Sequence, residues 1–534
     1  MNRTIEILDT TLRDGAQGEG ISFSVQDKIA VTMALDELGI AWIEAGNPGS
    51  NPKDNEFFKL AKNFQLKNST LCAFGATRKK GIRAEDDPQL ISLLEAGTRA
   101  VAIFGKSSAF HAKEVLKVSL EENLAMIAET IQFLVKEGRN VIYDAEHFFD
   151  GLAQKKEYAL KTIKTACGAG AARIVLCDTN GGSFPSVITE GVTQARTVLS
   201  VDNILGIHAH NDCGLALACS IAALEAGASH VQGTLAGFGE RCGNTALAAL
   251  VPSLELKMNL RCLPEGHLKK ISEISRRVVE IANCTISDDM PYIGSHAFSH
   301  KAGMHADAIL KVASSFEHIK PELVGNDRHF LMSEQGGRSA IAERVRAIVP
   351  SVTKEHPAIL ALSKKLKTME ADGWAFDGAD ASFEILVRKE LGIHKSFFRI
   401  IAYRVQSEHP NGPLMECCHA WVKVLVGDRT EIAAAEGDGP VNALDSALRR
   451  SLLGFYPELQ SMRLSDYKVR VIDGKDATAA QVRVLVESTG KSQVWTTVGV
   501  SADIINASCI ALVDSIEYKL THDNATTTGN SGGI

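Results

Sequence analysis

The feature of this sequence that most restricts its fold is a regular alternation of short apolar runs with longer amphipathic runs from Thr4 to about Gly237. The short runs are rich in residues that favour strands, and they lack the strict polar alternation of a half-exposed strand. The longer runs place apolar residues at helical spacing and end in glycine. The eight short runs are IEILDT, AWIEAG, TLCAF, AVAIFG, NVIYDAE, RIVLCDT, ILGIHAH and HVQGTLAG.

Eight consecutive strand and helix units predict an α/β fold, a closed (β/α)8 TIM barrel over residues 1–270. A doubly wound open sheet is the alternative, but no phosphate-binding glycine fingerprint follows the first strand. The chain has 534 residues, which is more than one hydrophobic core normally supports, so we expect further domains after the barrel.

The part of the chain beyond the barrel predicts three further segments and a tail. Residues 271–371 predict a mostly helical subdomain, and the Gly- and Asp-rich residues 372–381 predict a linker. Residues 382–522 contain an internal repeat, in which each copy is predicted to form a strand, a hairpin turn, a second strand and a helix. Two ββα copies predict a C-terminal α+β domain for dimerisation or for effector binding. Residues 523–534 predict a disordered tail.

Composition and charge narrow the class of partner. The net charge is −7, and Lys and Arg form no long block, which disfavours nucleic acid or an anionic membrane as the main partner. The 11 cysteines lack paired spacing and indicate reduced thiols. No run approaches the length of about 20 apolar residues that spans a bilayer. We expect a cytoplasmic protein that acts on small molecules.

Polar side chains at strand ends predict a metal site. Asp14 follows the first strand, and His208 and His210 close the seventh, where a spacing of two points both imidazoles to one face. A single inward histidine is more often a core residue, but a pair at the carboxyl end of a barrel strand favours a metal. Asn244, after the eighth strand, adds an amide oxygen. This set suits Zn²⁺, Mn²⁺ or Mg²⁺, and Arg13 would stabilise an alkoxide formed there.

Two further strand ends carry candidate residues. Glu146 closes the fifth strand, where a buried carboxylate favours a catalytic role over a structural ion pair. Thr179 and Asn180 follow the sixth strand, and they either bind the substrate acid or cap the turn.

Three segments of the chain resemble signatures of a known family. LRDGAQGEG, HAHNDCGLALA and GERCGN are similar to those of the isopropylmalate, homocitrate and citramalate synthase family, which is related to hydroxymethylglutaryl-CoA lyase. The resemblance implies a divalent cation on Asp14, His208, His210 and Asn244, with acetyl-CoA as co-substrate. It also implies that Arg13 contacts the substrate and that Glu146 is a catalytic carboxylate.

A fourth segment, SHKAGMHADAILK, resembles the part of the family that follows the barrel. The resemblance implies a catalytic role for His305 and a place near the CoA thioester for Asp307. In the family reaction, a base removes a proton from the acetyl methyl group, the enolate attacks a keto carbon, and hydrolysis of the thioester follows. Either Glu146 or His305 is that base. Related chains often have Tyr where this one has Phe316.

The resemblance also bears on substrate and regulation. The runs IEAGNPGSNPKDNEFF, FGATRKKG and IFGKSSAFH are most similar to the branch that uses pyruvate to form (R)-citramalate for isoleucine biosynthesis. The alternatives are an isopropylmalate synthase that takes 2-ketoisovalerate, then a homocitrate synthase. A lyase of hydroxymethylglutaryl-CoA is disfavoured because that family lacks the C-terminal repeat. The repeat resembles the family's regulatory domain, which implies a homodimer and an effector, isoleucine or leucine.

Overall fold

Eight parallel strands close into a barrel in chain order, and the eighth pairs with the first, which confirms the predicted TIM barrel. The computed structural model describes residues 3–200, 203–300, 308–309, 311–330, 338–353, 356–376, 378–408, 417–472, 480–490 and 493–528. The strands are β1 (Glu6–Asp9), β2 (Trp42–Glu44), β3 (Thr70–Ala76), β4 (Ala100–Lys106), β5 (Asn140–Glu146), β6 (Arg173–Asp178), β7 (Ile204–Ala209) and β8 (His230–Gly233).

Helices alternate with these strands, and their first residues carry the signals that start a helix. Ser24 and Asp27 form a capping box at the first helix, and proline opens the second, third and sixth. The helices are α1 (Val25–Leu38), α2 (Pro52–Ala61), α3 (Pro88–Glu95), α4 (Leu120–Lys136), α5 (Phe148–Gly168), α6 (Pro185–Arg196), α7 (Ala216–Glu225), α8 (Leu247–Lys257) and α9 (Ile271–Ile281).

Every second strand residue points into the barrel, and this alternation sorts the interior into layers. The amino end holds a charged group in which Arg173 donates two hydrogen bonds of 2.7 Å to Glu6, and His230 lies 3.3 Å from the same carboxylate. The middle is filled by an apolar cluster. Its members are Leu8, Cys72, Ala100, Ala102, Ile142, Val175 and Cys177. Inward polar side chains reappear only above this cluster, at the carboxyl end, where barrel enzymes carry out their chemistry.

The chain divides into two compact units. One consists of Met1–Phe298 with His318–Arg328, and the other of Ser299–Glu317 with His329–Ile534. The elements of the second unit are β9 (Ser299–His300), β10 (His329–Phe330), α10 (Arg338–Ile348), α11 (Pro357–Ala371), α12 (Asp380–Glu390), β11 (Arg399–Glu408), β12 (Cys417–Val426), β13 (Arg429–Gly437), α13 (Pro440–Leu452), β14 (Arg463–Val471), β15 (Val482–Thr489), β16 (Val494–Ser501) and α14 (Ile504–Thr528).

The predicted ββα copies are present in the second unit, and each begins with one further strand. β11 pairs with β12 and β14 with β15, so that each copy is a three-stranded antiparallel sheet followed by a helix. Both added strands have a register shift near their start, between Ile400 and Ala402 and between Leu464 and Asp466. A bulge of this kind breaks the alternation of polar and apolar residues that marks a strand in a sequence.

Two predicted segments differ from the structure. The sequence predicts a linker over residues 372–381, but Trp374 stacks on Phe376 at 5.9 Å between ring centroids, and Phe376 is 1% exposed. Both pack in a core with Phe383 of α12, so the described part of this segment is an interior element. The sequence also predicts a disordered tail over residues 523–534, but α14 continues to Thr528, and residues 529–534 lie outside the described residues.

The structure bears on two features that the sequence analysis used to predict the cellular compartment, the cysteine thiols and the lack of a membrane span. The cysteines whose side chains are described are free thiols, without a disulfide among them. Within the described ranges, no helix combines the length and the apolar character needed to cross a membrane.

Candidate active site

Asp14, His208 and His210 come together at the carboxyl end of the barrel. Asp14 is brought there by the loop after β1, and both histidines by β7 and its end. The His208 Nε2 atom lies 3.2 Å from Asp14 Oδ2 and 3.3 Å from His210 Nε2. All three side chains are buried, and their ligand atoms lie within 4.8 Å of one another. The geometry therefore gathers three potential metal ligands in one place.

A second layer of side chains fixes which nitrogen of His208 carries its proton. His208 Nδ1 lies 2.9 Å from Gln232 Oε1, and Gln232 Nε2 donates to Asp144 Oδ1 at 2.8 Å. Because the amide oxygen only accepts, Nδ1 carries a hydrogen, and Nε2 is the ring nitrogen that faces Asp14 and His210. Outer partners of this type orient the histidine ligands of metal sites.

Unpartnered buried atoms show that the cluster suits a cation. Asp14 Oδ2 and Asn244 Oδ1 are buried and have no hydrogen-bond partner among the described residues. Asn244 Nδ2 donates to Phe238 O at 3.1 Å, which fixes the amide, and Asn244 pairs with His210 through a backbone bridge. An unpartnered buried polar atom costs about 1–3 kcal/mol. Carboxylate, imidazole and amide donors arranged in this way fit a divalent cation.

Arg13 is held against this cluster from three sides. Its Nε donates to Glu44 Oε2 at 2.5 Å, its Nη1 lies 3.1 Å from Asp14 Oδ1, and its guanidinium lies 4.0 Å from the centre of the Phe74 ring. Burial alone would raise the pKa of Asp14, but Arg13 and His208 outweigh it and hold that pKa well below its usual range. Arg13 is thus a fixed cation beside an ionised carboxylate.

Three residues of this site are absent from the sequence prediction: Glu44, Asp144 and Gln232. All are buried, and each occupies an inward position near the carboxyl end of its strand. Burial and the charge of Glu44 raise the pKa of Asp144. The sequence could have predicted Asp144, because it lies two residues before Glu146 and therefore on the same face of β5.

The other strand-end candidates lie at the same mouth. Glu146, at the end of β5, forms an ion pair with Lys106, at the end of β4, so the structural alternative for this carboxylate is present in the fold. Thr179 Oγ1 accepts a hydrogen bond of 2.8 Å from the His147 amide. His147 has a left-handed backbone (φ 57°), and Thr179 stabilises that turn. Asn180 donates to Asp150 at 2.9 Å.

The post-barrel candidates divide between described and undescribed parts of the chain. His305 and Asp307 lie outside the described residues. Phe316 belongs to the second unit, directly after a short turn, and is 49% exposed.

A cavity of about 260 Å³ borders the site on the side of Arg13. Arg13 and Phe74 form part of its wall, together with polar side chains from the loops after β1 and β2. Those polar residues include Gln17, Asn47 and Asn51. The guanidinium therefore faces a space in which a small molecule can lie.

The C-terminal repeats place two glycines against helices. A Cβ atom at Gly437 would overlap the start of α13 at Ala443, and one at Gly499 would overlap α14 at Ala507. Glycine at each therefore allows a close approach of sheet and helix.

Three family models match successive parts of the chain. The HMGL-like family matches residues 4–278, the homocitrate synthase post-HMGL domain-like family residues 292–373, and the LeuA allosteric (dimerisation) domain residues 377–520. The three matches follow one another along the sequence and together span the barrel, the helical region and the repeat.

Individual relatives narrow the assignment. The (R)-citramalate synthase of Aquifex aeolicus is 45% identical over 98% of this chain and 99% of its own length. That of Geobacter sulfurreducens is 45% identical over 97% of both chains. The 2-isopropylmalate synthase of Sodalis glossinidius is 30% identical over 97% of this chain and 94% of its own. Because the higher identity extends over nearly the full length of both proteins, the chain belongs to the (R)-citramalate synthase family.

Proposed function

We propose that this protein condenses pyruvate with acetyl-CoA and water to give (R)-citramalate and CoA, as a step of isoleucine biosynthesis. The observation that carries this proposal is the 45% identity to an (R)-citramalate synthase over 98% of the chain. The grouping of Arg13, Asp14, His208 and His210 at the carboxyl end of the barrel supports it, because a carbonyl condensation needs positive charge where the alkoxide forms.

Asp14, His208 and His210 would hold a divalent cation, Zn²⁺, Mn²⁺ or Mg²⁺, and Asn244 would add its unpartnered oxygen. A bound cation would supply Lewis-acid polarisation of the keto group. The protein's own contribution is orientation. Gln232 keeps the Nε2 atom of His208 turned toward Asp14, and the contact with Phe238 holds the Asn244 amide.

Arg13 would stabilise the negative charge that develops on the former keto oxygen. Its guanidinium is already fixed by Glu44, Asp14 and the Phe74 ring. A donor that is oriented before the reaction needs no reorganisation when charge appears, and such donors supply a large share of catalysis in acyl chemistry.

Proton transfer falls to Glu146 or His305, one of which would take a proton from the acetyl methyl group. The electron pair left on that carbon attacks the keto carbon, and water then cleaves the thioester to release CoA. Lys106 holds the Glu146 carboxylate at the mouth of the barrel. Thr179 would contact the substrate acid, and Asp307 would lie near the thioester.

The proposed activity is tested by measuring thiol release from acetyl-CoA with pyruvate, 2-ketoisovalerate and 2-oxoglutarate. We expect kcat/KM to be at least about tenfold higher for pyruvate, since each methylene in a pocket is worth about 1–3 kcal/mol. A preference for either larger acid would contradict the proposal. Release of acetyl-CoA from hydroxymethylglutaryl-CoA would favour the lyase instead.

Assembly and regulation are proposed on the C-terminal domain. The match to the LeuA allosteric (dimerisation) domain and the paired repeats support a homodimer that binds isoleucine or leucine. The free thiols support a cytoplasmic location.

A further inference from the structure

A buried lysine on α1 bonds to backbone far from its own helix. Lys28 is 3% exposed, and its Nζ donates to Leu12 O at 3.1 Å and to Ala45 O at 2.8 Å. Its third hydrogen bond goes to Asp54 Oδ1 on α2. The ammonium group therefore uses all three donors on the two loops that follow β1 and β2 and on the helix after them.

Asp54 also bonds to the loop after β2, and we call the hydrogen bonds made by Lys28 and Asp54 the brace. Its Oδ2 accepts a hydrogen bond of 2.8 Å from the Asn47 amide. Gly46 lies between Ala45 and Asn47 with φ +140°, and a Cβ atom there would overlap the Asp54 carboxylate. The loop after β2 is thus shaped to receive this side chain.

The sequence positions of these contacts give the brace its significance. Leu12 precedes Arg13, and Ala45 follows Glu44. Arg13 and Glu44 form the 2.5 Å ion pair that fixes the guanidinium at the active site. One ammonium group therefore binds the backbone next to both partners, at Leu12 beside Arg13 and at Ala45 beside Glu44.

Stability alone does not account for a charged pair at this position. Two charges removed from water lose hydration that their attraction repays only in part, and well-packed apolar residues are often at least as stable. Burial lowers the pKa of Lys28, and Asp54 opposes that change. What apolar side chains cannot do is bond Leu12 O, Ala45 O and the Asn47 amide at once.

We propose that Lys28 and Asp54 are positioning residues for the condensation, which act by holding Arg13 in the orientation that its ion pair with Glu44 requires. The inference rests on the proposed function, because it assigns Arg13 a role in turnover. It predicts that loss of the brace lowers kcat and that this effect depends on the presence of Arg13.

The test compares the full-length holoenzyme with three variants: Lys28→Met/Asp54→Leu, Arg13→Ala, and the combination. We expect the brace variant to lower kcat about 10- to 100-fold, the range expected when a catalytic group is misplaced by about 1 Å. In the Arg13→Ala background, the same change should alter kcat less than about twofold, because the positioned group is already gone. An equal fall in both backgrounds, or an unchanged kcat in the first, would overturn the proposal.

A readout without substrate separates this inference from the proposed function. Amide hydrogen exchange in the brace variant should accelerate in peptides covering residues 10–17 and 44–51 and remain unchanged at the amino end of the barrel. If the enzyme prefers another keto acid, the proposed function fails, and the same cycle is run with that acid. Unchanged exchange in both peptides would contradict the brace whichever acid is used.

The matched control removes a buried ion pair at the opposite end of the barrel, in Glu6→Gln/Arg173→Met. We expect this variant to be less stable but to keep its kcat within about twofold, since the pair forms its hydrogen bonds internally and with His230 and Asn140, at the amino end of the barrel. If the brace variant does not fold, Asp54→Asn keeps the side-chain shape and removes the charge. It should show the same dependence on Arg13 with a smaller fall in kcat.

Discussion

The Nε2 atoms of His208 and His210 lie 3.3 Å apart, within hydrogen-bond distance of each other. Gln232 Oε1 lies 2.9 Å from the Nδ1 atom of His208, on the far side of the ring, so that the Nε2 atom faces His210. Asp14 adds a carboxylate oxygen 3.2 Å from the same atom. This convergence of three potential metal ligands is the structural basis for the metal predictions that follow.

Replacement of His208 should remove the metal and the activity together. His208→Ala deletes one of three clustered ligands, so we expect less than about one tenth of the wild-type metal content and a kcat at least about 10³-fold lower. Metal per chain is measured by plasma mass spectrometry and turnover by thiol release. His267→Ala, at a histidine that bonds Leu38 O, should retain both. Full metal occupancy in His208→Ala would refute the site.

Gln232 should control metal affinity without touching the metal. Gln232→Leu removes the acceptor for His208 Nδ1 and releases Asp144 from its amide donor. We expect the Kd for the metal to rise about 10- to 100-fold, as for other outer partners of ligand histidines. Competition with a chelator measures it, and Gln194→Leu on α6, where the Gln194 amide donates to Glu190, is the control. An unchanged Kd would show that Gln232 does not orient the ligand.

Variants of Glu146 and of Lys106 should distinguish a catalytic role of the Glu146 carboxylate from a structural one. If Glu146 takes part in proton transfer, Glu146→Gln should lower kcat about 10²- to 10⁴-fold with little change in the unfolding midpoint. Lys106→Met breaks the same ion pair and leaves the carboxylate, so its kcat should fall far less. Equal kcat values in the two variants, with equal loss of stability, would identify a structural pair.

The acid side of the stability profile should depend on Glu6. Burial raises the pKa of Glu6, but hydrogen bonds from Arg173 and His230 outweigh it and hold the pKa at about 2, below the ordinary 4.5. The folded state therefore stabilises the ionised form of Glu6. Its contribution to the free energy of unfolding is fully present above pH 4.5 and is lost as the pH falls toward 2.

Glu6→Gln should accordingly lose less stability on acidification than the wild type does. Urea midpoints of both metal-free proteins at about pH 6 and about pH 3.5 measure the difference. The wild type should show the larger drop between these conditions, because only it has this carboxylate to protonate. Identical drops would mean that Arg173 and His230 do not hold the charge of Glu6.

Effector binding should be measurable on the intact chain. Titration calorimetry with isoleucine and with leucine should give saturable heat for at least one of them, and the same amino acid should inhibit thiol release. Valine serves as the control ligand. No heat with either amino acid would favour a C-terminal domain that serves dimerisation alone.

Periodicity was enough to predict the barrel, because eight short runs rich in apolar residues alternate with longer amphipathic runs along the sequence. It was also enough to place Asp14, His208 and His210 together, since they lie at or just after the carboxyl ends of strands that meet at one end of the barrel. Gln232 and Asp144 were missed because their contact joins residues 88 apart in the chain. Each looks like an ordinary strand residue until the strands are closed into a barrel.

Outside the barrel, local irregularity concealed structure. The bulges in β11 and β14 interrupt the alternation that predicts a strand. In residues 372–381, the Gly and Asp content is typical of a linker, although Trp374 and Phe376 among them belong to a core. The burial of two aromatic rings outweighs the preference of their neighbours for turns.

The apolar middle of the barrel has a consequence for engineering. Leu8, Ile142 and their small neighbours separate the charged group of Glu6 and Arg173 from the chemistry above. Substitutions that change thermal stability and substitutions that change catalysis can therefore be made at different positions of the same strands. Residues at the amino end of the barrel can be changed to raise its stability, and we expect the kinetics of the active site at the carboxyl end to stay the same.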